Sequence, residues 1–94
     1  MGNANFEWDE DKNASNYAKH GVPFEQAELV FKDLFAVGKY DDRADYGEDR
    51  YTIIGMVEDV LIFVAYTERD DRVRIISARR ATPHEQDDYY RQDR

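Results

Sequence analysis

The chain contains no cysteine among its 94 residues. Disulfide frameworks and thiolate metal sites are therefore excluded, and the absence suits a reducing compartment. Histidine is scarce. His20 and His84 stand far apart, and two separated imidazoles do not make a metal site. The Asp-rich stretch 41–49 lacks the spacing of an EF-hand loop, so neither a metal nor another cofactor is expected. Long apolar runs are missing too. The longest, Val60 to Tyr66, is strand length, far below the roughly 18 residues that suggest a membrane span. The opening MGNANFEWDED has no basic region and no apolar segment, so no secretory signal is expected and a cytoplasmic location is. Positive charge is in deficit, with 13 Lys and Arg against 21 Asp and Glu and a formal net charge of −8. A broadly basic nucleic-acid surface is thereby excluded, though a local basic site is not.

What positive charge there is gathers in one place. Tyr66 to Arg80, YTERDDRVRIISARR, carries Arg69, Arg72, Arg74, Arg79 and Arg80 against Glu68, Asp70 and Asp71. The run is net positive in a chain that is otherwise strongly acidic. A negatively charged partner would bind here, while the acidic remainder suits a basic protein partner. At this length the chain forms a single domain over residues 1–94.

The order of elements follows from caps and periodicity. Phe6 and Trp8 alternate with Glu7 as a short extended piece. Asp9 caps a helix over Glu10 to His20, and Gly21 closes it. Pro23 opens a second helix over Phe24 to Lys32, with Phe24, Ala27, Val30 and Phe31 at helical spacing. Four strands follow, over Leu34–Tyr40, Arg50–Val57, Val60–Thr67 and Arg72–Arg79. Turns at Glu58-Asp59 and Arg69–Asp71 join the last three. The third strand is apolar on both faces, as for a central strand covered on both sides. Thr82, Pro83 and Glu85 form a capping box that starts the last helix, ending near Gln92. The expected fold is α+β: two N-terminal helices, a four-stranded antiparallel meander sheet and a C-terminal helix. Trp8, Phe24, Phe31 and Phe63 are read as core. In a regular fourth strand, Arg72, Arg74 and Arg80 share one face and Arg79 lies on the other. These arginines either clamp phosphates or pair with neighbouring carboxylates.

The sequence also resembles a family. RVRIISARRAT after a TER turn, Trp8-Asp9, Lys12 to Asn16, Lys19 to Phe24 (KHGVPF) and the Glu48–Arg50–Gly55 segment are similar, in order and spacing, to the BrnT toxins of bacterial type II toxin–antitoxin systems. The resemblance spans about residues 6–90. It implies a RelE-like fold with RNA bound on the sheet, and a metal-independent endoribonuclease that arrests translation. A BrnA-type antitoxin would neutralise it, and operator DNA would be reached only through that antitoxin. Such a reaction uses the RNA 2′-hydroxyl as nucleophile and needs a base, an acid and charge stabilisation. The match to the family motif points to Arg69, Arg74, Arg79 and Arg80 as catalytic. Arginine stabilises charge well and transfers protons poorly. Glu68 and His20 are the candidate bases; His20, Lys19 and Tyr66 the candidate acids. Lys19, Arg72, Arg50 and Tyr66 are candidate substrate-binding residues. His84, in the first turn of the last helix, is read as a surface residue. The alternative is an inactive family member that serves only in antitoxin binding and operon regulation.

Overall fold

The Asp9 carboxylate accepts the backbone N–H of Asp11 (2.8 Å) and Lys12 (3.2 Å), satisfying donors that a helix start leaves open. Helix α1 then runs Glu10–His20. Gly21, at φ +73°, ends it and donates its N–H to Tyr17. The computed structural model describes residues 5–92. In chain order it contains β1 (Phe6–Glu7), α1, α2 (Phe24–Ala27), a 3₁₀ segment (Glu28–Lys32), β2 (Val37–Asp41), β3 (Arg50–Val57), β4 (Val60–Arg69), β5 (Arg72–Arg80) and α3 (Pro83–Arg91).

The class is α+β, but the expected four-stranded antiparallel meander is corrected. One five-stranded mixed sheet runs β1-β5-β4-β3-β2, with β1 parallel to β5 and the other pairs antiparallel. The extended piece at Phe6–Glu7 supplies the extra strand; two residues are too few for alternation to reveal it. The pair of N-terminal helices is corrected as well. The second is a single α turn that tightens into 3₁₀ over Glu28–Lys32. Gly55 lies under that segment: a Cβ there would come within 2.8 Å of Val30 Cγ1 and 2.9 Å of Val30 O. Both two-residue turns, Glu58-Asp59 and Asp70-Asp71, have positive φ throughout, the twist that suits tight hairpins.

The sheet has two unlike faces. On the helix face Ile62, Val64, Ile75 and Ala78 pack with Trp8, Val22, Phe24, Ala27 and Val30. On the other, α3 covers only one end, where Tyr89 and Ala81 pack with Ile54, Leu61 and Phe63. Both clusters draw on β4, as its unbroken apolar run requires.

The pairing of β5 with β4 is irregular. Ala65 faces Ser77 but Tyr66 faces Ile75, so Ile76 is an extra residue on β5. Such a bulge reverses which side later residues occupy. Just beyond it, Asn16 of α1 holds the outer edge of β5. Its Nδ2 donates to Ala78 O (2.8 Å) and Val22 O (2.9 Å), and its Oδ1 accepts the Ala78 N–H (3.1 Å). The buried amide stands where another strand would pair. Asn16→Leu leaves one backbone donor and two acceptors without these partners. We expect a loss of about 3 kcal/mol, given about 1–3 kcal/mol for each buried unpaired group. Urea unfolding reads this as a lower midpoint at unchanged slope; a midpoint within error of wild type contradicts the clamp.

Candidate nucleic-acid interface

Paired residues in a sheet project to the same side. Arg79 pairs with Phe63 and Arg74 with Thr67, and both partners lie on the side away from α1. The bulge therefore places Arg79 on the face of Arg72 and Arg74, not opposite them as a regular strand requires. Arg80 pairs with Ile62 and falls on the helix side instead. The same open face receives Lys39, opposite Thr52, Arg50, opposite Asp41, and Arg69, opposite Arg72. Five arginines and a lysine from four strands thus share one surface, floored by Thr52, Ala65, Thr67 and Ser77.

Each of these arginines has a carboxylate. Glu7 of β1 lies 3.0 Å from Arg74 and 3.6 Å from Arg72. Glu48 lies 3.3 Å from Arg50 and 3.4 Å from Arg69. Glu85 takes both arms of Arg79, at 2.8 and 2.9 Å, while its Oε1 also accepts the Thr82 N–H at 2.9 Å. The capping box of α3 is thus the anchor of Arg79. The guanidinium also lies 4.2 Å above the Phe63 ring centroid, so it is fixed from two directions. Burial pushes the Glu85 carboxyl up, but hydrogen bonds from Arg79 and Thr82, with the Arg79 charge, outweigh this and hold it below its ordinary value. Glu85 is consequently an anion at neutral pH. At the far end of β2, Asp41 accepts Arg43 through both oxygens, at 2.8 Å each, and the Tyr46 hydroxyl at 3.2 Å. The Arg43 hydrogen bonds lead in lowering its carboxyl to about 2, against the opposing effect of burial.

The acid–base candidates fall elsewhere. Tyr66 pairs with Ile75 and Glu68 with Val73, both on the helix face. Tyr66 stacks on Tyr51 at 5.5 Å and meets Phe31 edge-on at 5.0 Å. Burial, then the Glu68 and Tyr51 charges, push its phenol up, so it stays protonated. Lys19 and His20 end α1, exposed and across the sheet from Arg79. The structure therefore brings Arg50, Arg69, Arg72, Arg74 and Arg79 together and leaves Glu68, Tyr66, Arg80, Lys19 and His20 off their face. It adds Glu7, Lys39, Arg43, Glu85 and His84. His84 lines a cleft of about 260 Å³ between α3 and β2–β3, with Lys39, Arg43 and Phe63. Adjacent Ile75-Ile76, two apolar residues interrupting an alternating strand, was the available signal for the bulge. Nothing local pointed to Glu7 as partner to Arg74.

Among the described residues no group of three or more His, Asp or Glu side chains is arranged to hold a metal, and no helix is long and apolar enough to cross a membrane. A family model described as the ribonuclease toxin BrnT of type II toxin–antitoxin systems matches residues 8–85. The chain belongs to the BrnT family. The matched span runs from Trp8 to Glu85, so it takes in β5 with Arg79 and the carboxylate that holds it. No curated protein matches the chain. Membership of a BrnT toxin in a type II system implies an antitoxin partner.

The arginine face of this BrnT chain is only partly neutralised: three carboxylates, Glu7, Glu48 and Glu85, serve its five arginines. A phosphate must compete with Glu7 for Arg72 and Arg74. Glu7→Gln is expected to tighten binding of single-stranded RNA by about five-fold, roughly 1 kcal/mol, in line with a partly exposed ion pair. Fluorescence anisotropy at fixed salt measures this; unchanged or weaker binding contradicts competition at Glu7.

Proposed function

We propose that this protein is an endoribonuclease whose substrate lies along the open face of the sheet, with phosphates on Arg72, Arg74 and Arg79. The observation that carries this reading is the bulge at Ile76, which sets those three arginines on one side. Arg72 and Arg74 are about 7 Å apart along the strand, and Arg79 lies roughly 15 Å from Arg74, so the strip spans more than one phosphate. Arg50 and Arg69 extend it across β3 and β4. The 2′-hydroxyl attacks the neighbouring phosphorus, and fixed guanidinium groups stabilise the charge that gathers on the phosphorane. Arginine supplies in this way what a metal would supply elsewhere, so we read the reaction as metal-independent. Pre-formed geometry matters here: Glu85 and Phe63 hold Arg79 in place before substrate arrives, while Glu85 also competes with the phosphate for its terminal nitrogens.

In this reading RNA cleavage arrests translation, the antitoxin is of the BrnA type, and operator DNA is bound through that antitoxin. A RelE-like use of the sheet as the RNA platform fits the same arrangement. The carboxylate pairing of every arginine on the face favours a second reading, an inactive member that binds antitoxin only. Cleavage of a single-stranded RNA in the presence of EDTA separates the two. The first reading expects cleavage by wild type and a loss of at least about 100-fold in Arg79→Ala, the scale of removing one transition-state charge donor. Intact RNA with folded wild-type protein supports the second.

A further inference from the structure

The arginine strip leaves one chemical requirement unmet on its own face. The 5′-oxygen that departs from phosphorus needs a proton, and guanidinium groups do not release one. Resting on the ribonuclease reading above, we propose that His84 is the general acid of this face, protonating the leaving 5′-oxygen of an RNA strand seated in the cleft between α3 and β2–β3.

Placement is the first argument. His84 is the second residue of α3, directly before Glu85, whose carboxylate grips Arg79 in two-point contact. His84 and Glu85 both line the cleft between α3 and β2–β3. The cleft is floored by Ile54 and Phe63, the ring beneath Arg79. The His84 side chain is 84% exposed, so a substrate reaches it without displacing core. Asp88, one helical turn on, lies 4.0 Å from Nε2.

Elimination is the second argument. The ionisable residues that line the cleft, besides His84, are Lys39, Tyr40 and Asp41 on β2, Asp42 and Arg43 in the loop after it, and Glu85 and Asp88 on α3. Asp41 and Glu85 are held ionised by Arg43 and Arg79 and carry no proton to give. The Tyr40 phenol is tied to Asp49 by a hydrogen bond that pushes it up, away from neutrality. An ammonium also lines the cleft, on Lys39, and an ammonium ordinarily holds its proton far more tightly than an imidazolium. Imidazole is the one side chain that in its ordinary state gains and loses a proton between about pH 5 and 8. His20, the other imidazole, lies across the sheet at the end of α1.

The 2′-oxygen forms a bond to phosphorus and loses its proton to water. The P–O5′ bond breaks, and the proton on His84 passes to O5′. The products are a 2′,3′-cyclic phosphate and a free 5′-hydroxyl.

The test replaces the bridging 5′-oxygen of an RNA oligonucleotide by sulfur, because a thiolate leaves without being protonated. Full-length His84→Ala and His84→Gln are compared with wild type on both substrates, with circular dichroism as the folding control. The expected result is a loss of about 100-fold or more on ordinary RNA, the usual worth of a general acid, and a loss below about five-fold on the sulfur-bridged strand. Equal losses on both substrates, or ordinary RNA cut at the wild-type rate, overturn the assignment while leaving the ribonuclease reading intact. If folded wild type cuts neither substrate, both fall together.

Discussion

The side chain of Asn16 determines where the arginines of β5 point. A bulge at Ile76 is a local surplus of one residue, and a surplus can slide along a strand or be squeezed out. Asn16 prevents this by taking both the N–H and the C=O of Ala78, two residues beyond the bulge. The third hydrogen bond, to Val22 O, ties the same amide to the turn between α1 and α2. One buried polar group thus links the helix layer to the register of β5, on the stretch beyond its short pairing with β1. Register decides sidedness, and sidedness decides whether Arg79 joins Arg72 and Arg74 or faces away.

Charge is organised on the same principle of local fixation. The chain is strongly acidic, yet its open sheet face collects five arginines, and carboxylates from β1, the β2–β3 loop and α3 sit against them. These carboxylates do two opposed things. They orient the guanidinium groups, as Glu85 does for Arg79 through two parallel contacts, and they compete with any phosphate that approaches. Weak long-range attraction combined with pre-set geometry suits a protein that a partner must be able to silence. It also fits a substrate that arrives by specific contacts and not by bulk electrostatic steering.

Much of the architecture was legible in local chemistry. Asp9, Gly21, and the Thr82-Pro83-Glu85 box mark helix ends because each satisfies open backbone groups within four residues. The turn expected at Glu58-Asp59 is there, and the one expected over Arg69–Asp71 is the shorter Asp70-Asp71, because β4 continues through Arg69. What escaped depended on contacts across the chain. β1 is a strand only because Val73 and Arg74 lie beside it. The tightening of the second helix into 3₁₀ happens where Gly55 admits the Val30 backbone. At the site, the cluster of arginines was legible as composition, but their common face was not. Alternation assumes a regular strand, and one extra residue reversed the result for Arg79 and Arg80. Glu68, Tyr66 and His20 looked apt by residue type; strand parity and the position of α1 put them on the helix side, away from Arg72, Arg74 and Arg79. Glu85 was read correctly as a cap, while its grip on Arg79 needed the strand and helix placed together.

On the proposed reading, RNA lies on the face shared by Arg72, Arg74 and Arg79. The most direct measurement is the change in backbone amide NMR shifts when the protein binds a single-stranded RNA whose 2′-hydroxyls are methylated, which blocks the nucleophile and keeps the strand uncut. The account predicts shifts concentrated at Thr52, Thr67, Arg72, Arg74, Ser77 and Arg79. Shifts concentrated instead at Lys19, His20, Tyr66, Glu68 and Arg80 would contradict it.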